Sequence, residues 1–332
     1  MTAVEIDALF ACFANMKVAV VGDVMLDTYW WGNVERISPE APVPIVSLKR
    51  KEYRIGGAGN VALNLVALGA HTTLFSVIGN DAEGRQLSEL LGDHHIATQY
   101  LVKSDGRTTT NKTRVMSRNQ QMMRLDAEVT FDIDAQEETA LLNNFERFIT
   151  TEKPDAIIFE DYNKGVLSTS VISSMIAAAN RHNIITAVDP KRKNFFAYQG
   201  VTLFKPNLKE VYEGLNILAG EISTENLGAI HQQLHNKLHH DISLITLSEK
   251  GVFYQQGEQA GLYGSHVRNI ADVSGAGDTV IAVASLVYAA TKNMQATAAI
   301  ANIAGGLVCE EVGTAAIDKQ KLLFECKALL PS

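Results

Sequence analysis

Long hydrophobic runs, paired cysteines and a surplus of positive charge are all missing from this 332-residue chain. The most apolar stretch, Val280 to Ala290, is too short to span a bilayer and is interrupted by Ser285. The amino terminus, MTAVEIDALFACF, carries acids and no basic segment, so it does not read as a secretory signal. The three cysteines, Cys12, Cys309 and Cys326, form no CxxC and cannot all pair. That points to a reducing, cytoplasmic setting with the thiols packed as small buried groups. Lys and Arg number 29 against 37 Asp and Glu, a net charge of −8. A nucleic-acid binder needs the opposite balance. Nucleic acid and membrane are therefore not expected partners, whereas a small phosphate held by local cations is compatible. With 46% hydrophobic and 20% charged residues, the chain can bury a large core.

Short apolar runs at 17–22, 73–78, 156–160, 184–188 and 242–247 read as parallel strands buried on both faces. Helical patterns at 60–68, 136–149, 168–181 and 225–238 fall between them, and 279–290, 295–310 and 318–329 follow. This alternation predicts an α/β fold, a mostly parallel sheet with helices on both faces. Two segments break the rhythm. Residues 28–55 hold three of the seven prolines, and 108–126 interleave β-branched and basic residues. Both predict strands outside the main sheet, forming a small β lid. No linker divides the chain, so residues 1–332 are expected to be one domain with lid segments at about 28–55 and 108–126.

Four motifs carry possible chemistry. Gly56-Gly57-Ala58-Gly59-Asn60 heads an apolar helix and is either a structural turn or a loop whose exposed N–H groups receive a polar ligand. It does not follow the first strand, as a dinucleotide-binding loop must. Asp272-Val273-Ser274-Gly275-Ala276-Gly277-Asp278 opens another helix. Asp278 is there either an N-terminal cap or a proton acceptor beside the N–H groups of Gly275, Ala276 and Gly277, an anion hole for a transferring phosphoryl group. Asn207 and Glu210 lie three apart at a helix start, forming either a capping box or a pair that orders Mg²⁺-bound phosphate. Residues 79–86 mimic P-loop glycine spacing but lack its Lys and Ser/Thr, and read as a turn. His231, His235 and His239, with His240 alongside, have helical spacing without a companion acid, and read as a solvated helix face. His94 and His95 read as a polar turn.

Together, the Gly56–Asn60 and Asp272–Asp278 loops, with Asn207 and Glu210 between them, resemble the ribokinase-like (PfkB) carbohydrate kinases. Segments 22–27, 36–44, 118–121 and 161–165 are similar to the bacterial D-glycero-D-manno-heptose 7-phosphate kinase branch. The resemblance covers essentially the whole chain and implies a ribokinase-like sheet with a lid. It also implies ATP-dependent phosphorylation of the anomeric hydroxyl of heptose 7-phosphate, for lipopolysaccharide-core precursors. Alternatives are a kinase for another sugar or sugar phosphate, or a non-catalytic sugar-binding member. Branch members that also activate the sugar carry a nucleotidyltransferase domain; this sequence has no HxGH-type motif, so a kinase alone is expected.

By resemblance, Asp278 is the base, and Asp27, Gly56, Gly57 and Asn60 hold sugar hydroxyls. Asn207 and Glu210 order Mg²⁺ and phosphates, with Glu210 the metal residue. Ser248, Gly251, Asn302 and Gly306 lie near ATP, and K⁺ is expected beside the loops at Asp272 and Gly313. The cations Lys112, Arg114, Lys164 and Lys191 are candidates for the sugar's phosphate. Three departures stand out: Ser248 where Gly is common, Lys191 where many sugar kinases have Asn, and Glu160 where a smaller polar residue is expected. The second lid strand and Trp30–Trp31 suggest a homodimer through the lid.

Overall fold

In the computed structural model, every residue is described except Asn119, Val267, Pro331 and Ser332. Asn119, one of the residues carrying the branch resemblance, thus lies outside the described residues. The chain opens with α1 (Ala3–Cys12) and β1 (Lys17–Gly22), then two long strands, β2 (Val24–Ile37) and β3 (Pro44–Gly57). Next come α2 (Ala58–Leu68), β4 (His71–Gly79), α3 (Ala82–Asp93), β5 (Leu101–Ser104), β6 (Asn111–Ser117) and β7 (Gln120–Ala127). The middle runs α4 (Ala135–Glu152), β8 (Ala156–Glu160), α5 (Thr169–Arg181), β9 (Ile185–Asp189), β10 (Leu203–Phe204), α6 (Leu208–Leu215), α7 (Thr224–Leu238) and β11 (Ile242–Thr246). A hairpin of β12 (Val252–Gln256) and β13 (Gln259–Tyr263) precedes α8 (Ala276–Thr291), α9 (Met294–Val308) and α10 (Lys319–Leu329).

Nine strands form the main sheet in the order β13-β12-β11-β10-β9-β8-β1-β4-β5. It is parallel except for the β12–β13 hairpin. Strand alternation explains its two cores. Val18, Val20 and Ile158 face a cluster with Leu65 of α2, Ile281 of α8 and Ile300 of α9. Ala19, Val21 and Phe159 face another with Phe145 of α4, Ile172 of α5 and Leu234 of α7. Because β1 pairs with β4 on one side and β8 on the other, the strand order reverses there. A crevice forms beyond the carboxyl ends of the strands at such a reversal. Asp23, Glu160, Asp189 and Lys205 occupy those ends.

The second sheet has the order β3-β2-β6-β7. Its register places Arg54, Asp27, Lys112 and Asp126 in one cross-strand row, and Glu52, Tyr29, Arg114 and Arg124 in the next on the same face. The opposite face carries the rows Tyr53–Thr28–Thr113–Leu125 and Lys51–Trp30–Val115–Met123. Tyr53, Met123 and Leu125 are exposed there. The expected lid segments are thus a sheet with one ionic and one partly apolar face.

Three sequence expectations need correction. Residues 79–86 are not simply a turn: Asp81 caps α3, accepting from the Gly84 N–H at 2.7 Å, so the acids that spoil a P-loop start a helix. The histidines read as a solvated face divide: His231 on α7 and His240 beyond it are buried and both meet Ser243 Oγ, at 2.8 and 2.7 Å, whereas His235 is half-buried and His239 exposed. Cys326 is buried as expected, but Cys12 and Cys309 are only partly so.

The entry to α2 depends on Gly57, whose backbone lies at φ 59°, ψ −137°. A Cβ there would sit 2.3 Å from the Asp23 carbonyl oxygen. Gly57→Ala is expected to lower stability by at least about 1–3 kcal/mol from backbone strain alone. A urea melt with an unchanged midpoint would show that the turn relaxes freely.

Candidate active site

Asp278 lies in the first turn of α8, behind Gly275 at φ 80°. A Cβ on Gly275 would come within 2.8 Å of the Asn60 amide nitrogen, so the close approach of α2 to α8 demands glycine. The same approach lets Asn60 Nδ2 donate to Asp278 Oδ2 at 2.7 Å, while Tyr162 Oη donates to Oδ1 at 2.8 Å. Asp278 is buried, and burial pushes its carboxyl up to about 6 against the lowering effect of Asn60 and Tyr162. A carboxylate so tuned is ionised at neutral pH yet basic enough to take a proton from a hydroxyl. Gly277 and Asp278 begin the helix, where amide N–H groups lack intrahelical acceptors. The Ala276 N–H, by contrast, reaches back to the Val273 carbonyl at 3.3 Å.

Tyr162 is held by a neighbouring carboxylate. Asp23, at the end of β1, accepts from the backbone N–H groups of Tyr162, Lys164 and Val166 at 2.9, 3.0 and 3.1 Å. This wraps the segment after β8 around one buried acid. Burial, then the proximity of Asp161, pushes Asp23 up to about 6.

Beneath the α8 entrance, Glu160 and Asp189 are register neighbours on β8 and β9. Oxygens of Glu160, Asp189 and Asp278 all lie within 4.8 Å of one another. Lys205, fully buried, pairs with Asp189 at 2.8 Å. Lys191 reaches Asp189 at 3.2 Å and Glu210 at 2.9 Å. Burial would raise Asp189, but Lys191 and Lys205 outweigh it and hold the carboxyl below its usual range. Asn207 and Glu210 form the capping box: Asn207 Oδ1 accepts from the Glu210 N–H, and Glu210 Oε2 from the Asn207 N–H, both at 2.8 Å.

On the lid, Asp27 is buried against Gly56, where a Cβ would meet its Oδ2 at 2.5 Å, and Arg114 pairs with its Oδ1. Arg54 donates to the Val312 carbonyl at 2.9 Å, tying the lid to the loop carrying Gly313. Gly313 N–H in turn donates to Asp272 Oδ2 at 2.9 Å, so the two loops singled out for K⁺ do meet. Of the candidate phosphate cations, Arg114 is committed to Asp27, Lys164 to Glu128 at 2.8 Å, and Lys191 to Asp189 and Glu210. Lys112 makes no ion pair among the described residues and shares a row with Asp27.

Ser248 and Gly251 bracket the turn after β11. Asn302, on α9, donates to the Gly264 carbonyl at 2.8 Å and lines a cavity of about 440 Å³ with His266 and Gln295. Gly306 lies under Arg268, whose Nε a Cβ there would meet at 2.7 Å. No hydrogen bond links these four residues to Asp278 among the described residues. Sequence reasoning assigned no role to Tyr162, Asp189, Lys205 or Asp23. Acids and a lysine ending consecutive apolar strands were the available signal.

An open parallel sheet with a carboxylate at a helix mouth over its switch point, and a second sheet closing on it, defines a ribokinase-like kinase fold. The pattern of the pfkB family carbohydrate kinases matches residues 15–321, and the chain belongs to that family, an ATP-dependent carbohydrate kinase. A protein of Methylobacillus flagellatus described as bifunctional protein HldE is 41% identical over 94% of this chain and 63% of its own length. One of the same description from Syntrophotalea carbinolica is 37% identical over 97% of this chain and 65% of its own. The chain therefore spans less than two thirds of these curated relatives. Among solved structures, Escherichia coli phosphofructokinase-2 in complex with potassium superposes with a TM-score of 0.77 at 19% identity, covering 93% of this chain and 98% of that one. Arabidopsis thaliana ribokinase complexed with ribose and ATP gives 0.71 at 17%, over the same shares. Both share the fold.

The local chemistry makes a direct prediction. Carbon-13 NMR of the Asp278 carboxyl is expected to titrate near pH 6. Asn60→Ala and Tyr162→Phe each remove a donor to the ionised form and should move the midpoint higher. A midpoint unmoved or lowered in both would mean these donors do not tune the acid.

Proposed function

We propose that this chain transfers the γ-phosphoryl group of ATP to the anomeric C1 hydroxyl of D-glycero-D-manno-heptose 7-phosphate, in the supply of lipopolysaccharide-core precursors. The observation that carries the reaction type is Asp278, buried at the mouth of α8 with each oxygen held by a neutral donor. In this reading Asp278 accepts the proton of the attacking hydroxyl, and the N–H groups of Gly275 and Gly277 at the α8 entrance stabilise the charge spread over the transferring phosphoryl oxygens, joined by that of Ala276 once it leaves the Val273 carbonyl. The choice of sugar is supported by whole-chain identity of 36–41% to the curated relatives.

Asp27 is proposed to bind sugar hydroxyls with Gly56, Gly57 and Asn60. Arg114 then serves to fix Asp27, and Lys112 is left as the cation for the phosphate already on the sugar. ATP is assigned to the side of Ser248, Gly251, Asn302 and Gly306. Mg²⁺ is assigned to the all-oxygen set of Glu160 and Asp189, with Glu210 joined to Asp189 through Lys191 and Asp278 kept for the proton. When bound, it neutralises charge on the phosphates. Asn207 and Glu210 contribute by shaping the α6 entrance and holding Lys191. K⁺ is assigned to the Asp272–Gly313 junction, and a homodimer to the lid face bearing Trp30, Tyr53, Met123 and Leu125.

Three outcomes test this. Asp278→Asn should bind sugar phosphate normally but lose turnover by about 10²–10⁴-fold, the usual contribution of a general base; unchanged turnover removes Asp278 from the chemistry. Lys112→Ala should raise KM about tenfold or more for heptose 7-phosphate. It should leave KM for the unphosphorylated sugar unaltered, and equal effects on both would reassign the phosphate site. ADP release across a panel of sugar phosphates should be greatest with the heptose, and a preference for fructose 1-phosphate would overturn the substrate.

A further inference from the structure

Asp23 is the single residue between β1 and β2, at the junction of the main sheet and the lid, and it is buried. Its carboxylate is satisfied by backbone: Oδ2 accepts from the Tyr162 and Lys164 N–H groups, and Oδ1 from that of Val166. Left-handed backbone at Asn163 (φ 55°) and Gly165 (φ 90°) curls residues 162–166 into a concavity of amide hydrogens, the arrangement that elsewhere receives an anion. Here the anion is the chain's own. A buried carboxylate needs such donors and an irregular loop needs such an acceptor, so each fixes the other.

The loop so fixed begins with Tyr162, whose Oη donates to Asp278 Oδ1 at 2.8 Å. Asp23 reaches the other donor through a different atom. Its backbone carbonyl accepts from the N–H of Ala58, the first residue of α2, at 3.0 Å, and Asn60 two residues on donates to Asp278 Oδ2 at 2.7 Å. One residue thus meets both segments that hold the oxygens of Asp278: its side chain holds the Tyr162 arm, its main chain the Asn60 arm. A side-chain substitution separates the two, since it removes the first and leaves the second. Asn at this position would turn its own amide hydrogens toward a loop that offers only donors.

We propose that Asp23 is a positioning residue for phosphoryl transfer, its carboxylate holding the 162–166 loop so that Tyr162 fixes the orientation of Asp278. This rests on the reading of Asp278 as proton acceptor. Orientation counts there because the acid must lie within hydrogen-bond reach of the attacking hydroxyl, and a misplacement of about 1 Å can cost about 10²-fold.

The test is a set of double-mutant cycles at pH 8. Asp23→Asn and Asp23→Ser are made alone, with Tyr162→Phe and with Asn60→Ala, and circular dichroism checks folding. The first readout is the carbon-13 shift of the Asp278 carboxyl in protein free of sugar and nucleotide. Each Asp23 variant should move it in the same direction as Tyr162→Phe does, and should add nothing in the Tyr162→Phe background. The second is kcat with ATP and the sugar phosphate that releases most ADP. It should fall about tenfold or more in each Asp23 variant, the scale of a lost hydrogen bond to a charged group, with KM for ATP unaltered. No further fall should appear in Tyr162→Phe, whereas in Asn60→Ala the fall should be at least as large as in wild type.

An unmoved signal or an unchanged kcat in the folded Asp23 variants overturns the proposal. So does an equal effect with and without the Tyr162 hydroxyl, the result expected of a carboxylate that serves only the stability of the loop, or an effect that also vanishes in Asn60→Ala. Failure of both Asp23 variants to fold where Tyr162→Phe folds overturns it too, because Asp23 is then a residue of the fold alone. Asp278→Asn, assayed alongside, separates this role from the reading beneath it. Retained turnover there removes both, whereas lost turnover without Asp23–Tyr162 coupling removes only the positioning role. The shift needs no substrate, so an incorrect sugar assignment leaves it unaffected.

Discussion

Like charges are forced together where β8 and β9 end side by side. Parallel register puts Glu160 beside Asp189, and the strand alternation that sends Ile158 toward α2 and α8 sends Glu160 the same way, under the helix mouth holding Asp278. Three carboxylates in so small a buried volume repel one another. The fold tolerates them because the next strand ends in Lys205 and the following loop supplies Lys191. Removing one partner of the buried Lys205–Asp189 pair would strand a charge, at a typical cost of about 3–5 kcal/mol. The site is thus crowded with acids by construction and held together by the two lysines.

That constraint gives each acid a different character. Asp189, beside two ammonium groups, stays ionised. Asp278 is raised to about 6 by burial, yet keeps two neutral donors that favour its charged form. Glu160 is pushed well above its ordinary range by burial, then by Asp189 and Asp278, against the pull of the two lysines. Environment rather than residue type separates an ion-paired anchor, a carboxyl held by two neutral donors and one with neither oxygen hydrogen-bonded. The lid completes the picture from the other side. Arg114 pins Asp27, and Arg54 ties the lid to the loop that meets Asp272, so the lid and the segment before α8 are mechanically joined.

Much of this was legible in the sequence, and the reasons differ by element. Near-continuous apolar runs betray strands buried on both faces, so β1, β8, β9 and β11 stand out. Two-residue β10 does not, since its neighbours rather than its pattern define it. Glycine marked the close approach of α2 to α8, because only a residue without Cβ permits the Asn60–Asp278 contact. The α7 histidines were misjudged because helical spacing shows which residues share a face but not which face is inward. His231 turns toward Ser243 and His240. Ion-pair partners of the cations were invisible for a similar reason: Lys164 and Glu128 are brought together by tertiary packing, and no local pattern announces it.

Phosphorus NMR of the product made from ATP and heptose 7-phosphate tests the central claim most directly. The account predicts a second phosphate signal coupled to the anomeric proton, with the original C7 monoester retained. A new phosphate on any other carbon, or inorganic phosphate alone, would contradict it.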